Sequence, residues 1–291
     1  MITISNNTFP CFYTLADQQA IESQEQYLST LRASMELIIA ASLLTYLQRF
    51  FELNYVELLV SILLLFNLIL NWWIQSTKKD NLWYDYRSIA ESIKTLTWKY
   101  MLKVSPFAGT ESGSTKEFRK RVTKILNDNK ILLQKSKAIP AHKQFITNDM
   151  RNIRACDLKT RGLIYDKYRV QDQAEWYAKK SEYNNKMGKR FFGIYLLLNI
   201  LLLIFIISNY KLSRNYVPLD LLMVLLTNIQ TWTQTKKYSD LANSYALASQ
   251  EIALIKEETT SFRTEQEFSQ YVSNCENAFS REHTQWYARK Q

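Results

Sequence analysis

Four basic side chains, Arg119, Lys120, Arg121 and Lys124, fall close together in the middle of this 291-residue chain. Grouped cations attract phosphate, whether it sits on a nucleotide, an oligonucleotide or an anionic lipid. The four belong to a wider excess. Residues 76–190 hold 26 lysines and arginines against 12 aspartates and glutamates, a net of +14, while the whole chain is +10. Everything outside that stretch is therefore net negative. Two readings fit the excess: a solvated surface beside a membrane, or an anion site for nucleotide phosphates.

A second group of residues is polar but uncharged. Asn67, Asn71, Gln75 and Lys78 lie four, four and three positions apart, so a helix places them on one face. Thr227, Thr231 and Gln234 repeat this arrangement, with Asn228 and Gln230 nearby. Both sets sit in apolar runs. At bilayer depth, polar side chains hydrogen-bond across helices or face water. The stripes are thus either helix–helix contacts or the wall of an aqueous pore. Four helices from one chain enclose a pore poorly, so a pore implies a symmetric homo-oligomer.

Signals for bond-making chemistry are missing. No H-E-x-x-H, G-x-S-x-G or Walker A pattern occurs. The histidines are His142 and His283, and the cysteines Cys11, Cys156 and Cys275 are widely spaced. Ordinary reduced thiols are expected, with no metal, no cofactor and no enzymatic activity. His283 reads more simply as a structural residue than as a base.

The elements that carry these residues follow from hydropathy. Residues 37–47 (LIIAASLLTYL), extended to 33–51, form a first apolar stretch with Glu36 and Arg49 near its ends. Residues 55–74 form a second, closed by Trp72 and Trp73 as an aromatic belt with Lys78 and Lys79 beyond. Residues 191–210 are the clearest span, entered through Lys186, Lys189 and Arg190. Residues 216–232 are the poorest, since they contain Asp220, Asn228 and Gln230. Each approaches the ~20 residues that cross a hydrocarbon core. The short connections are poor in lysine and arginine and the opposite ends are rich in them, which puts both termini and the long middle segment in the cytoplasm. No signal peptide is expected, because no apolar stretch stands before residue 35; the first span then serves as its own insertion signal. With five glycines and four prolines, the rest reads as long helices.

The expected fold is an all-α integral membrane protein. Two transmembrane helical hairpins, four spans in all, extend into a helical cytoplasmic domain. The segments are 1–32 (N-terminal, cytoplasmic), 33–75 (first hairpin), 76–190 (basic helical region), 191–232 (second hairpin) and 233–291 (C-terminal cytoplasmic helices).

An offset of 159 positions links the hairpins. Trp73 matches Trp232, Gln75 matches Gln234, and Lys78 matches Lys237. Past the membrane exit, Leu82 matches Leu241, Tyr86 matches Tyr245, and Ile93 matches Ile252. The ungapped register points to an internal duplication.

In the cytoplasmic body a helix should continue the second span to a stop at Ser105-Pro106. Residues 108–114 (AGTESGS) read as a flexible loop. Ser114 with Glu117 reads as a capping box opening a helix with Phe118, Val122, Ile125 and Leu126 on one face. Pro140 breaks the chain again. Helix resumes at Thr147, with Gly162 as an interruption, and Thr264 with Glu267 caps a last helix ending near Arg289.

Residues 82–107 (LWYDYRSIAESIKTLTWKYMLKVSPF) resemble the SLATT family of bacterial membrane effectors, through RSIAESIK (87–94), WKY (98–100) and PF (106–107). YRVQDQ (168–173) with Trp176-Tyr177, then ENA (276–278) through REHTQW (281–286), are similar to a second such module in tandem. The resemblance covers about residues 30–289. It implies an antiphage ion channel in the bacterial inner membrane. A nucleotide or short oligonucleotide from a partner nucleotidyltransferase would control it, and a homo-oligomer, with a tetramer favoured, would form it. Under that implication Asn67, Asn71, Gln75, Thr227, Thr231 and Gln234 line the pore. Arg87, Lys94, Trp98 and Lys99 join Arg119, Lys120, Arg121 and Lys124 as ligand contacts, since arginine pairs with phosphate and tryptophan stacks on bases. The bland alternatives stand beside this. Arg87, Glu91 and Lys94 are spaced to pair as surface ions, and Trp98, Tyr100 and Trp176 suit a core. A non-conducting scaffold that binds anionic lipid or a partner protein is the rival function, and a membrane-bound nucleotide hydrolase a more distant one.

Overall fold

A computed structural model describes residues 4–51, 55–129, 144–212, 218–258 and 262–288. All regular structure among them is helical. A 3-10 turn at Asn6–Thr8 precedes α1 (Cys11–Leu47), α2 (Val56–Thr77), α3 (Lys79–Met101) and α4 (Glu111–Asp128). There follow α5 (Asn148–Ala155), α6 (Leu158–Tyr165), a π-helical segment (Asp166–Gln171), α7 (Asp172–Leu212), α8 (Leu219–Lys236), α9 (Tyr238–Glu258) and α10 (Glu265–Ala288). The chain divides into two compact units.

One unit comprises Gln24–Lys79 and Glu182–Ala242. Among the described residues three helices are long and apolar enough to cross a membrane: Cys11–Leu47, Val56–Met101 and Leu158–Ser208. Their apolar side chains turn outward. Leu65, Leu68 and Trp72 on α2, and Leu197, Leu203 and Ile207 on α7, are more than half exposed. A surface this apolar is suited to hydrocarbon rather than water. The fourth expected span, α8, has 18 residues and is not one of these three helices. It is nevertheless held inside the unit by buried Leu222 and Leu226. Asn228 Nδ2 donates to the Met35 carbonyl at 3.3 Å, and Asp220 pairs with Arg49 at 3.1 Å. That ion pair accounts for an acid at the mouth of an apolar helix.

Lys78 and Lys237 carry the duplication into three dimensions. Both are left-handed, with φ 47 and ψ 44 at Lys78 and φ 48 and ψ 43 at Lys237. Each donates its N–H to the carbonyl four residues back, Ile74 and Thr233. In each copy the apolar helix therefore stops and the next helix starts at the following residue. The expected unbroken helix from the second span thus needs correction at Lys78. Downstream the matched positions face the core in both copies, Tyr86, Ile93 and Ile252 being fully buried and Tyr245 partly so.

The other unit comprises Met1–Ser23, Asp80–Ser181 and Asn243–Gln291. Its core is aromatic. Trp98 meets Phe9 and Tyr165 edge-on, and Tyr100, Phe107 and Phe118 form a triangle with centroids 5.0–6.0 Å apart. Helix α3 ends as the sequence requires before proline, in a turn with Lys103 left-handed at φ 57. There Lys103 N–H bonds to the Tyr100 carbonyl and Val104 N–H to that of Lys99, the paired bonds of a Schellman ending.

Helix α4 starts earlier than expected. Thr110 is its N-cap, accepting from Gly113 N–H at 3.3 Å. Ser114 is instead a buried residue inside the helix, donating to the Phe107 carbonyl at 2.9 Å. The apolar face was foreseen correctly, with Phe118 and Val122 buried and Ile125 and Leu126 packed beside them. Gly162 does not interrupt a helix. It lies within α6, where an added Cβ would stand 3.4 Å from the Phe262 ring. The actual break lies at Cys156-Asp157, with Asp157 capping α6. Thr264 caps α10 as read from sequence, and Thr147, where the sequence has helix resume, caps α5. Pro140 and the side chains of residues 281–286, His283 among them, lie outside the described residues.

Candidate functional site

Three arginines on the α5-to-π stretch are almost fully buried: Arg154, Arg161 and Arg169. A buried guanidinium is tolerable only when its donors are used. Arg154 donates to the carbonyls of Tyr100 at 2.6 Å and Phe107 at 2.8 Å, and to Ser114 Oγ at 2.8 Å. Arg161 donates to the Leu102 and Cys156 carbonyls and pairs with Glu265. These two arginines bond main-chain carbonyls at and beyond the end of α3, at Tyr100, Leu102 and Phe107. They also tie down residues 102–110, so the segment expected to be a flexible loop is pinned through Phe107 and Gly109.

Arg169 makes a different contact. Its Nε and Nη2 donate to the two oxygens of Glu276 at 3.0 and 2.9 Å. Tyr165 Oη and Thr95 Oγ1 donate to the same carboxylate at 3.0 and 2.7 Å. Both ion-pair partners are buried. Burial works against the Arg169 charge, but the adjacent carboxylate outweighs it and holds the guanidinium above its ordinary range. Tyr165 is pushed well above the usual tyrosine value, first by burial and then by Glu276. Thus YRVQDQ and ENA, two stretches far apart in sequence, meet in one charged contact.

Beside this pair lies a cavity of about 290 Å³. Lys94 and Trp98 of α3, Lys167, Tyr168 and Arg169 of the π segment, and Phe9 and Tyr13 near the N-terminus contribute to its walls. The Lys94 ammonium stands 6.0 Å from the Tyr13 ring centroid and Lys167 5.0 Å from that of Tyr168. Burial pulls Lys94 below the ordinary lysine range; Glu91 opposes this, and the Arg169 and Arg87 charges add to it. Arg169 Nη1 and Trp98 Nε1 are buried donors with no hydrogen-bond partner among the described residues. A neighbouring cavity of about 340 Å³, lined by Asn6, Cys11, Thr147 and Asp149 among others, has no lysine or arginine among the described residues of its wall.

Of the residues singled out for ligand contact, Lys94 and Trp98 therefore share one cavity. Arg87 is engaged elsewhere, with Asp17 at 3.0 Å and Glu91 at 2.7 Å. Lys99 is half-buried and is not in the cavity wall. Arg119, Lys120, Arg121 and Lys124 lie exposed along α4, where Arg121 pairs with Glu117 at 2.7 Å and Arg119 stands 6.0 Å from the Phe145 ring.

The polar stripes are also placed. Asn67 Nδ2 donates to the carbonyl and hydroxyl of Ser34 on α1 at 2.7 and 2.8 Å, and Asn71 Nδ2 reaches the same hydroxyl at 3.1 Å. Asn67 is partly buried by this contact, whereas Asn71 and Gln75 are exposed. On α8, Thr227, Thr231 and Gln234 are exposed. The two threonine hydroxyls bond back to their own helix, at Met223 and Thr227.

Sequence reasoning passed over Arg154, Arg161 and Lys167. A signal existed for the first: Arg154 falls among the apolar positions Met150 and Ile153 of a short amphipathic helix, where a solvated charge does not belong.

Two family models match the chain end to end. One, described as SMODS and SLOG-associating 2TM effector domain 3, covers residues 10–162. The other, SMODS and SLOG-associating 2TM effector domain 1, covers residues 165–286. No curated protein and no solved structure matches. The first match contains α1 to α5 and the start of α6, and the second the whole π segment with α7 to α9 and nearly all of α10. Each match thus holds, in order, a long helix, an apolar helix, a left-handed lysine and a further helix. The chain belongs to the SLATT family of two-transmembrane effector domains, with two different modules of that family in tandem.

Proposed function

We propose that this protein is a pore-forming membrane effector of a bacterial antiphage system, without enzymatic activity of its own. A nucleotide or oligonucleotide made by a partner nucleotidyltransferase gates it. It works in the inner membrane with four spans, both termini cytoplasmic, as a homo-oligomer for which a tetramer is favoured. Opening dissipates ion gradients and stops growth of the infected cell.

One observation carries this reading: exposed polar side chains at Asn71 and Gln75 on α2, beside exposed Leu65, Leu68 and Trp72, and at Thr227, Thr231 and Gln234 on α8. Lipid is a poor neighbour for such groups, and a ring of subunits around water removes them from it. Ion flux through liposomes containing the purified protein tests the reading, with and without cyclic nucleotides and short oligonucleotides. Nucleotide-dependent flux is expected. The Gln75→Leu/Gln234→Leu variant should insert and assemble but conduct less.

The scaffold reading is favoured by a separate observation, the exposed row Lys116, Arg119, Lys120, Arg121 and Lys124 on α4, which suits anionic lipid. Absence of flux under every condition, from protein shown to be inserted and oligomeric, would put that reading first.

A further inference from the structure

We propose that the cavity between α3 and the π segment holds one nucleotide unit, with its phosphate on Lys94, Lys167 and Arg169 and its nucleoside against Phe9, Tyr13 and Tyr168. This deepens the gated-effector reading by naming its sensor. It rests on that reading for the ligand's being a signal, and on the cavity itself for the ligand's chemistry.

The wall carries three cations against one carboxylate, Asp172. Lys167 and Asp172 are exposed at the rim, Lys94 is partly buried, and Arg169 is buried. Glu276 uses only one edge of the Arg169 guanidinium, leaving Nη1 unpaired. Trp98 Nε1 is a second unpaired donor in the same wall. Buried donors without partners cost free energy, and Arg154 and Arg161, outside this wall, have none among the described residues. Two orphaned donors and a desolvated lysine at one cavity form an arrangement that an oxyanion completes.

Local backbone agrees. Lys167, Tyr168 and Arg169 all fall in the π-helical segment, and such turns are uncommon and concentrate at functional sites. Widening the helix there sets the three consecutive side chains along the cavity. The aromatic rings supply the face that a base requires. Size then narrows the ligand. About 290 Å³ lies at the lower end of the ~300–1,000 Å³ range of small-molecule sites, so one nucleotide fits and a longer oligonucleotide enters only by one residue.

The test is isothermal titration of the full chain in detergent with the four ribonucleoside 5′-monophosphates, their nucleosides and inorganic phosphate. At least one monophosphate should bind at one per chain, with its nucleoside and free phosphate at least about tenfold weaker. Lys94→Gln and Lys167→Gln should each weaken binding about tenfold or more, whereas Lys159→Gln, exposed on α6 outside the cavity wall, should not. Failure of all four monophosphates to bind overturns the proposal, as does binding that both cavity variants leave unchanged. If Lys94→Gln fails to fold, Lys167→Gln at the exposed rim decides alone. Flux measured on the same variants separates the two readings. Nucleotide binding without flux sinks the pore and leaves the site. Gated flux that is indifferent to Lys94→Gln and Lys167→Gln sinks the site and leaves the pore.

Discussion

Replacing Glu276 with alanine should be among the most damaging single changes outside the apolar helices. Its carboxylate accepts from four donors: Arg169 Nε, Arg169 Nη2, Tyr165 Oη and Thr95 Oγ1. Both members of the ion pair are almost fully buried. Removing the acid leaves a guanidinium uncompensated in the core, a change that costs about 3–5 kcal/mol. The two hydroxyls lose an acceptor as well, at about 1 kcal/mol each. Arg169→Met combined with Glu276→Ala removes the charge along with its partner. The double change should therefore cost well below the sum of the singles, with a coupling of at least about 2 kcal/mol. Denaturant unfolding of the full chain in detergent, followed by near-ultraviolet circular dichroism, supplies all four corners of the cycle. A loss below about 1 kcal/mol for Glu276→Ala would refute the reasoning, as would strict additivity.

Two further outcomes concern backbone and thiols. Lys78→Gly and Lys237→Gly should each raise stability by about 1 kcal/mol, because a left-handed backbone penalises any residue with a Cβ; a loss at both positions in the same unfolding assay would contradict the shared geometry. Burial, with the Glu276 charge adding to it, pushes the Cys275 thiol up to about 12, so Cys275 should resist alkylation at about pH 8 while half-exposed Cys156 reacts. Since the folded value lies above the unfolded 9.0, the stability it contributes is complete below pH 9.0 and disappears as pH rises toward about 12. Rapid labelling of Cys275 in the folded protein, or a midpoint that does not fall over that window, would count against its burial.

Much of this architecture was legible because it is written locally. Thr264 and Glu267 cap α10 by contacts within four residues, and Trp72–Trp73 followed by lysines marks a membrane exit by composition alone. The 159-residue register was visible as matched letters. Its most specific consequence, a left-handed residue at Lys78 and again at Lys237, was not, because nothing in a lysine's chemistry announces that conformation. Gly162 was misread for a related reason: its small size serves the Phe262 ring, 100 residues away in sequence. Ser114 lay within reach of a plausible capping partner, yet Thr110 one turn earlier took the cap and freed Ser114 to meet Arg154. Arginines 154 and 161 were passed over in a basic segment because most of their acceptors are main-chain carbonyls, which leave no trace in residue identity. The candidate site was half legible: Lys94 and Trp98 were named, whereas Lys167 and Phe9 required the fold to bring them in.

The bond from Thr95 to Glu276 spans 181 residues, and that distance is also an interval of time. At ribosomal rates of about 5–20 residues per second, roughly 9–36 s separate the synthesis of its two ends. During that interval the face of α3 carrying Thr95 exists without its partner, and so does Arg169 from the moment it is made. A buried cation in an unfinished core is a strong reason for that core to stay open. The charge cluster is complete only once Glu276 on α10 has been made.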